Sequence, residues 1–133
     1  MVKVLIFSDS RYPVNRKVIR KAVLETFIKH KIEAISAEVS VAIVGSRKMN
    51  DLTEKFMKDG KKHEVLSFPL EEVTFDSQAG FVSPPESVLR LGDVVLCWPE
   101  VLDAASQDDI MVDEEVYKLT CHGVEHLLGK HHE

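Results

Sequence analysis

Long apolar runs and cysteine motifs are both missing from this sequence of 133 residues. No apolar run approaches the roughly 18 residues that a membrane-spanning helix needs, so the sequence predicts no membrane segment. The two cysteines, Cys97 and Cys121, form neither a C-x-x-C motif nor a disulfide framework, which favours a reducing cytoplasm. The first residues, 1–7, lack the small-residue cleavage site of a signal peptide and are more typical of a buried strand.

The overall charge hides an uneven distribution along the chain. The net charge is −5, yet residues 1–63 hold 14 Lys/Arg against 7 Asp/Glu, and residues 64–133 hold 3 against 15. Such asymmetry predicts one basic and one acidic face, and the basic face would suit RNA. The alternative is that the two halves of the sequence do not form two halves in space.

Apolar periodicity predicts an α/β fold in one domain covering residues 1–133, since 44% of the residues are hydrophobic and no repeat or linker interrupts them. The predicted strands span residues 2–7, 38–44, 64–68 and 89–97. The predicted helices span residues 13–30, 47–57 (with Ser46 as N-cap), 99–105, and 109 or 113 to 128. Residues 71–87 have no period and contain Gly80 and Pro84-Pro85, which predicts a long loop.

Three histidines near the end of the chain have the spacing of metal ligands. His122 and His126 are four residues apart, so on a helix they point to the same side and can reach one ion. Gly129 can adopt the left-handed conformation that ends a helix, which would let His132 reach the same ion. Three neutral imidazoles favour a tetrahedral Zn²⁺ with one open position for a water molecule. We therefore predict a catalytic zinc site held by His122, His126 and His132.

The same spacing occurs in the HExxHxxGxxH metalloproteases, where the second position is a glutamate that acts as general base. Here that position is Gly123, which cannot take a proton. The sequence therefore argues against a peptidase of that class.

Three sequence motifs together resemble the YbeY family of bacterial metal-dependent endoribonucleases. That family reads H-G-x-L-H-L-x-G-Y-D-H around its histidines, and Glu125, Lys130 and His131 replace its Leu, Tyr and Asp here. The other two motifs are V-L-S-F-P and L-G-D followed by apolar residues. The matching residues are His122, Gly123, His126, Leu127, Gly129 and His132, with Val65–Pro69 and Leu91–Leu96.

The resemblance implies a mixed sheet of roughly four strands packed by helices, with the metal site at the end of a groove. It also implies single-strand-specific RNA hydrolysis in ribosomal RNA maturation and ribosome quality control. The implied partners are precursor ribosomal RNA and the small ribosomal subunit, and the implied setting is a cytoplasmic monomer. Two alternatives stay open: a non-catalytic ribosome assembly factor with a structural metal, and a metallohydrolase for another substrate.

The sequence identifies the residue that would transfer protons less directly than it identifies the metal ligands. Glu125 lies about 60° around a helix from His122, which makes it a candidate catalytic base, although a solvated surface glutamate is the alternative. Asp93 of the L-G-D motif could orient a ligand histidine or cap a turn. His131 could compete with His132 for the metal.

Substrate contacts are predicted in and before the third strand. The family's substrate-side arginine falls at Met57, so this chain lacks a guanidinium there. Nearby lysines would supply positive charge but lack the planar fork of N–H donors that a guanidinium has. His63 could also contact phosphate. An exposed turn without a binding role is the alternative. The predicted substrate-binding residues are Lys58, Lys61, Lys62 and Ser67.

Overall fold

The computed structural model describes residues 1–70 and 88–129. Along these residues strands and helices alternate up to the third strand, after which a fourth strand and two helices follow, which confirms the predicted α/β class. The predicted loop at 71–87 and the predicted ligand His132, with its neighbour His131, lie outside the described residues. The elements are β1 Val2–Phe7, α1 Arg16–Lys29, β2 Ala37–Val44, α2 Ser46–Phe56, β3 Val65–Pro69, β4 Leu89–Cys97, α3 Trp98–Asp108 and α4 Val112–Leu127.

The four strands form one mixed sheet in the order β1-β2-β4-β3. Strands β1, β2 and β4 are parallel, whereas β3 runs antiparallel to β4. Valine and isoleucine dominate β2, where buried and half-buried positions alternate along the strand, as expected of a strand whose two faces are covered unequally. The mixed four-stranded sheet predicted from the family resemblance is therefore confirmed.

The two faces of the sheet carry cores of different size. The larger core joins α1 and α4 to the sheet, and its members include Val23, Val41, Val94 and Val124. The smaller core lies beneath α2 and is built around Met49, Leu66, Val95 and Cys97. Because Val94 and Val95 are consecutive strand residues, they point to opposite faces.

A bulge in β4 explains the glycine of the L-G-D motif. The register between β2 and β4 shifts after Glu38, which pairs with Arg90, so that Val39 pairs with Gly92. Gly92 has φ +144, and a Cβ there would lie 2.3 Å from the carbonyl oxygen of Phe68. Only glycine fits both the backbone conformation and the close approach of β3.

Helix boundaries differ from prediction where local caps decide them. Helix α1 begins at Arg16 rather than near Pro13, because the Asn15 side chain accepts a hydrogen bond from the Lys17 backbone N–H at 3.1 Å. Ser46 is the first residue of α2, and Gly45 takes the N-cap position that was predicted for Ser46. Helix α3 runs past its predicted end to Asp108.

Candidate metal site and its groove

The C-terminal half of α4 carries the two described histidines of the predicted site. The helix begins with Asp113, Glu114 and Glu115, whose charges favour a helix N-terminus. It ends where Gly129 adopts φ +83 and donates its backbone N–H to the His126 carbonyl at 3.0 Å. The left-handed glycine predicted after the helix is therefore confirmed.

Gly123 lets this part of α4 lie directly against the sheet. A Cβ at Gly123 would stand 2.7 Å from Cγ1 of the buried Val94 in β4, closer than van der Waals contact allows. The absence of a side chain thus brings α4 close to the middle of β4, where Val94 pairs with Ser67 of β3. This packing gives the glycine of the H-G-x-x-H motif a structural reason.

His122 and His126 point their Nε2 atoms at each other. The two Nε2 atoms are 3.1 Å apart, and the ring centroids are 4.5 Å apart. A tetrahedral zinc with Zn–N distances of about 2.0–2.1 Å holds two ligand nitrogens roughly 3.3 Å apart. The pair therefore fits as two ligands of one ion.

The structure does not test the third ligand. No group of three or more His, Cys, Asp or Glu side chains that could hold a metal occurs within residues 1–70 and 88–129. His132 lies outside those residues, so its place beside His122 and His126 stays a prediction.

The histidine pair opens onto a groove of about 260 Å³ between α4 and β3. Its position along β3 is consistent with a role for the V-L-S-F-P motif, because Val65 to Phe68 of that strand form part of the lining. Ser67, predicted to contact substrate, is among the lining residues. The lining consists of Met57, His63, Val65, Leu66, Ser67, Phe68, His122, Gly123 and His126.

The segment between α2 and β3 contains a hydrogen-bonded pair, of which His63 lines the groove, and this pair was not predicted from the sequence. His63 Nε2 lies 3.2 and 3.0 Å from the two carboxylate oxygens of Asp59. The Lys61 backbone N–H donates to Asp59 at 3.0 Å, and this bond together with His63 lowers the pKa of Asp59. Their i, i+4 spacing is the only sequence signal that could have suggested the pair.

The predicted lysines do not line this groove. Lys58, Lys61 and Lys62 are exposed in the turn between α2 and β3. Lys58 has φ 54 and Gly60 has φ 67, so both adopt the left-handed conformation. Met57, where the family has arginine, does line the groove and is 46% exposed.

Glu125 faces α1 rather than the groove. Its carboxylate lies 3.1 Å from Lys29 Nζ and 3.4 Å from His30 Nε2. Burial would raise the pKa of Glu125, but these two partners outweigh it and lower the pKa below its ordinary value. The structure thus places the candidate base in an ion pair between α1 and α4.

Asp93 lies on the α2 side of the sheet. It lines a separate cavity of about 560 Å³ together with Phe56 and Phe68, whereas its neighbour Val94 faces α4. The structure does not bring Asp93 to the histidine pair, so the suggested orienting role has no structural support.

The cavity beside Asp93 shares lining residues with the histidine groove and with a cavity that contains basic residues. Phe68 lines both the groove and this cavity, which also holds the exposed Phe7 and Phe56. Lys48 lines the cavity and a third one, of about 530 Å³, where β1 and β2 end. The basic residues of this third cavity are Arg11, Arg47 and Lys48, beside Asp9 and Asp51.

The helices in the described parts of the chain include none long and apolar enough to cross a bilayer.

Comparison with known proteins identifies relatives along nearly the whole chain. The profile of the family described as Endoribonuclease YbeY matches residues 8–133. A curated relative of that name from Persephonella marina is 27% identical over 132 residues, covering 93% of this chain and 80% of the relative. Another from Caldicellulosiruptor saccharolyticus is 31% identical over 116 residues, covering 87% and 73%. A third from Beutenbergia cavernae is 38% identical over 96 residues, covering 72% and 61%.

A solved structure supports the fold independently. The solution structure of a Thermotoga maritima protein matches with a TM-score of 0.57 and 21% sequence identity, covering 100% of this chain and 75% of that protein. The family predicted from the three motifs is therefore confirmed by the profile and the relatives, and the fold by the structure.

Proposed function

This chain belongs to the endoribonuclease YbeY family, and we propose that it is a metal-dependent enzyme that hydrolyses phosphodiester bonds of single-stranded RNA. The observation that carries the proposal is the pair of imidazoles on α4, whose Nε2 atoms lie 3.1 Å apart at the edge of a groove. Their separation suits a shared metal ion, and the groove gives a polynucleotide access to it.

We assign the metal ligands to His122, His126 and His132, with Zn²⁺ as the ion that three imidazoles suit. When bound, such an ion activates water and neutralises charge on the phosphoryl oxygens. The histidines on α4 hold the ion, and the packing of Gly123 on Val94 fixes their position relative to β3. His131 stays a possible competitor for the third place.

The wall formed by β3 is suited to positioning the substrate. Val65 packs against the core beneath α4. Ser67, two residues further along the strand, therefore has its side chain on the same face of the sheet, and it lines the groove. We propose that this strand contacts the RNA backbone beside the scissile phosphate. Lys58, Lys61 and Lys62 stand outside the groove lining and would contact flanking phosphates. Glu125, engaged with Lys29, is not required by this mechanism.

A preference for single strands is supported by the surface that leads away from the groove. Phe7 and Phe56 are 57% and 55% exposed, and unpaired bases stack on such rings. Beyond them, Arg47 and Lys48 offer positive charge to phosphates. We propose that the strand runs from the histidine pair across these rings to the basic cavity.

This path predicts a salt-dependent contribution to binding. Replacing Arg47 and Lys48 by alanine is expected to reduce the slope of log affinity against log salt by about 1.4, since each phosphate contact on a single strand contributes about 0.7. Fluorescence anisotropy with a labelled single-stranded RNA measures the slope, and Arg90→Ala serves as the control because Arg90 pairs with Glu38. An unchanged slope in the double variant would reject the path.

The cellular role is proposed from family membership. We propose that the substrate is precursor or defective ribosomal RNA, that the enzyme acts on the small ribosomal subunit in the cytoplasm, and that it does so as a monomer. Ribosomal RNA maturation and ribosome quality control are the processes that such an activity serves.

The decisive test is cleavage of a labelled single-stranded RNA by the wild type and by His126→Ala, with added zinc. We expect cleavage by the wild type, loss in the variant by about 10²-fold or more, since one ligand is removed, and much slower cleavage of a matched duplex. Equal activity in both proteins would indicate a contaminating nuclease.

Met57 favours one alternative function. This residue lines the groove and offers no charge to a phosphate, which suits a non-catalytic ribosome assembly factor with a structural metal. Such a protein would bind zinc and RNA but leave the RNA intact. A metallohydrolase for another substrate would instead hydrolyse a small phosphodiester while ignoring RNA.

A further inference from the structure

We propose that His63, held by Asp59, is a second catalytic residue of the groove and donates a proton to the ribose oxygen that leaves when RNA is cleaved. The inference rests on the proposed endoribonuclease function and assigns a residue to one step of it.

The first observation is the geometry of the pair. His63 Nε2 lies within 3.2 Å of both oxygens of Asp59, and the His63 side chain is only 20% exposed. The backbone N–H of Lys61 fixes the carboxylate from another direction. A carboxylate that accepts a ring N–H holds the imidazole in one orientation. Because Asp59 takes Nε2, Nδ1 is the ring nitrogen that can meet a substrate.

The second observation is where the pair lies. His63 lines the same groove as His122 and His126, but it comes from the segment before β3 and not from α4. In phosphoryl transfer the attacking and leaving oxygens are roughly in line on opposite sides of the phosphorus. The proposal places a phosphate in this groove with the α4 histidines on one side of the phosphorus and His63 on the other.

The third observation is the composition of the lining. Among the described residues that line the groove, His63 is the one acid or base outside the α4 pair. Glu125 is engaged with Lys29, and the lysines of the turn stand outside the lining. His63 is thus the described side chain best placed to protonate a leaving group.

The step is a balanced hydrolysis. The oxygen of a water molecule forms a bond to phosphorus as the bond between phosphorus and the leaving ribose oxygen breaks. The electron pair of the broken bond stays on the departing oxygen, which takes the His63 proton and leaves as an alcohol. The proton released by the attacking water passes to solvent, and His63 regains a proton from solvent.

The test compares normal RNA with RNA in which the leaving ribose oxygen is replaced by sulfur, since a thiolate departs without a proton. The termini of the products from normal RNA identify that oxygen. We expect His63→Ala to lower kcat on normal RNA by about 10²-fold, the usual contribution of a general acid, with little change in KM. On the sulfur RNA, His63→Ala should match the wild type within about threefold, because the departing thiolate needs no proton from a general acid.

Further variants separate proton donation from simple support of the groove. His63→Gln keeps a hydrogen-bond donor and should be as slow as His63→Ala on normal RNA, and free imidazole should partly restore His63→Ala. Asp59→Asn, which weakens the orientation of His63, should lose about tenfold. Zinc content should be unchanged in all three, and Arg90→Ala should behave as the wild type.

Two results would overturn the inference. Cleavage of normal RNA by His63→Ala at the wild-type rate would exclude a catalytic role, and equal losses on normal and sulfur RNA would assign His63 to binding or structure. His126→Ala should lose activity on both substrates. A wild type that cleaves neither RNA would overturn the proposed function itself, which is a separate outcome.

Discussion

The two walls of the groove are built in different ways. The α4 wall belongs to a helix of 16 residues whose inner side, with Val116, Val124 and Leu127, is buried in the larger core. The other wall consists of Met57 after α2, His63, and residues Val65 to Phe68 of β3, and the turn that joins α2 to β3 contains Lys58 and Gly60 in left-handed conformations. The first wall is positioned by packing and the second by local hydrogen bonds to Asp59. We infer that core packing positions the proposed metal ligands of α4, whereas local hydrogen bonds position the residues proposed to act on the substrate.

The largest effect should come from breaking the packing of the α4 wall. Gly123→Ala places a methyl group 2.7 Å from Val94 Cγ1, and such overpacking costs about 1–3 kcal/mol. We expect a corresponding loss in the free energy of unfolding, measured by urea denaturation, and slower RNA cleavage because the histidines move relative to β3.

A compensating variant provides the control for this prediction. Val94→Ala removes the contacted methyl groups, so the double variant should recover part of the stability that Gly123→Ala loses. Additive losses in the double variant would show that the contact between Gly123 and Val94 is not the cause.

A smaller effect should come from changing the other wall. Met57→Arg places a guanidinium beside the groove, where it can bind a phosphate through two hydrogen bonds. We expect kcat/KM for single-stranded RNA to rise by about tenfold, which corresponds to about 1.4 kcal/mol of transition-state stabilisation. Met57→Leu, the uncharged control, should leave kcat/KM unchanged. A rise in both variants would assign the effect to packing instead of charge.

The smallest effect should come from Glu115, at the start of α4 and far along the helix from the histidines. Its side chain is only 2% exposed, and burial raises the pKa of Glu115, with Asp108 and Glu64 adding to the rise and Lys118 opposing it. A raised pKa means that the folded state holds the proton more tightly, so stability falls as pH rises above the ordinary range of glutamate.

Glu115→Gln removes this titration with little change in shape. We expect the variant to be more stable than the wild type by about 1 kcal/mol at pH 7, because it buries a neutral amide in place of a carboxyl group that is ionised in the unfolded state. The advantage should shrink as pH falls and disappear near about pH 3, where the wild-type carboxyl is protonated in the unfolded as well as the folded state. Thermal unfolding at the two pH values measures this difference, and an equal gain at both would exclude the ionisation of Glu115 as its source.

The sequence predicts the features of the α4 wall better than those of the other wall. The i, i+4 spacing of His122 and His126 predicts their shared face because helix geometry is fixed, and Gly129 marks the helix end because few other residues adopt φ +83. The four strands are likewise readable from apolar runs. These features depend on local periodicity, which tertiary packing leaves unchanged.

The features that escaped prediction depend on contacts between distant elements or inside a turn. Helix geometry places Glu125 near His122, but only the packing of α1 on α4 directs its carboxylate to Lys29. Asp93 was assigned by its motif, whereas the bulge at Gly92 and the alternation of the strand place it on the α2 face. Asp59 and His63 meet through a turn, whose conformation has no periodicity to detect.

The most direct test of the central claim, that the α4 histidines hold a metal ion, is X-ray absorption spectroscopy of the zinc-loaded protein. We expect one zinc per chain with nitrogen or oxygen neighbours at about 2.0–2.1 Å, and scattering from three imidazoles that falls to two in His132→Ala. A zinc site whose spectrum lacks imidazole scattering, or one left unchanged by His122→Ala and His126→Ala, would contradict the account.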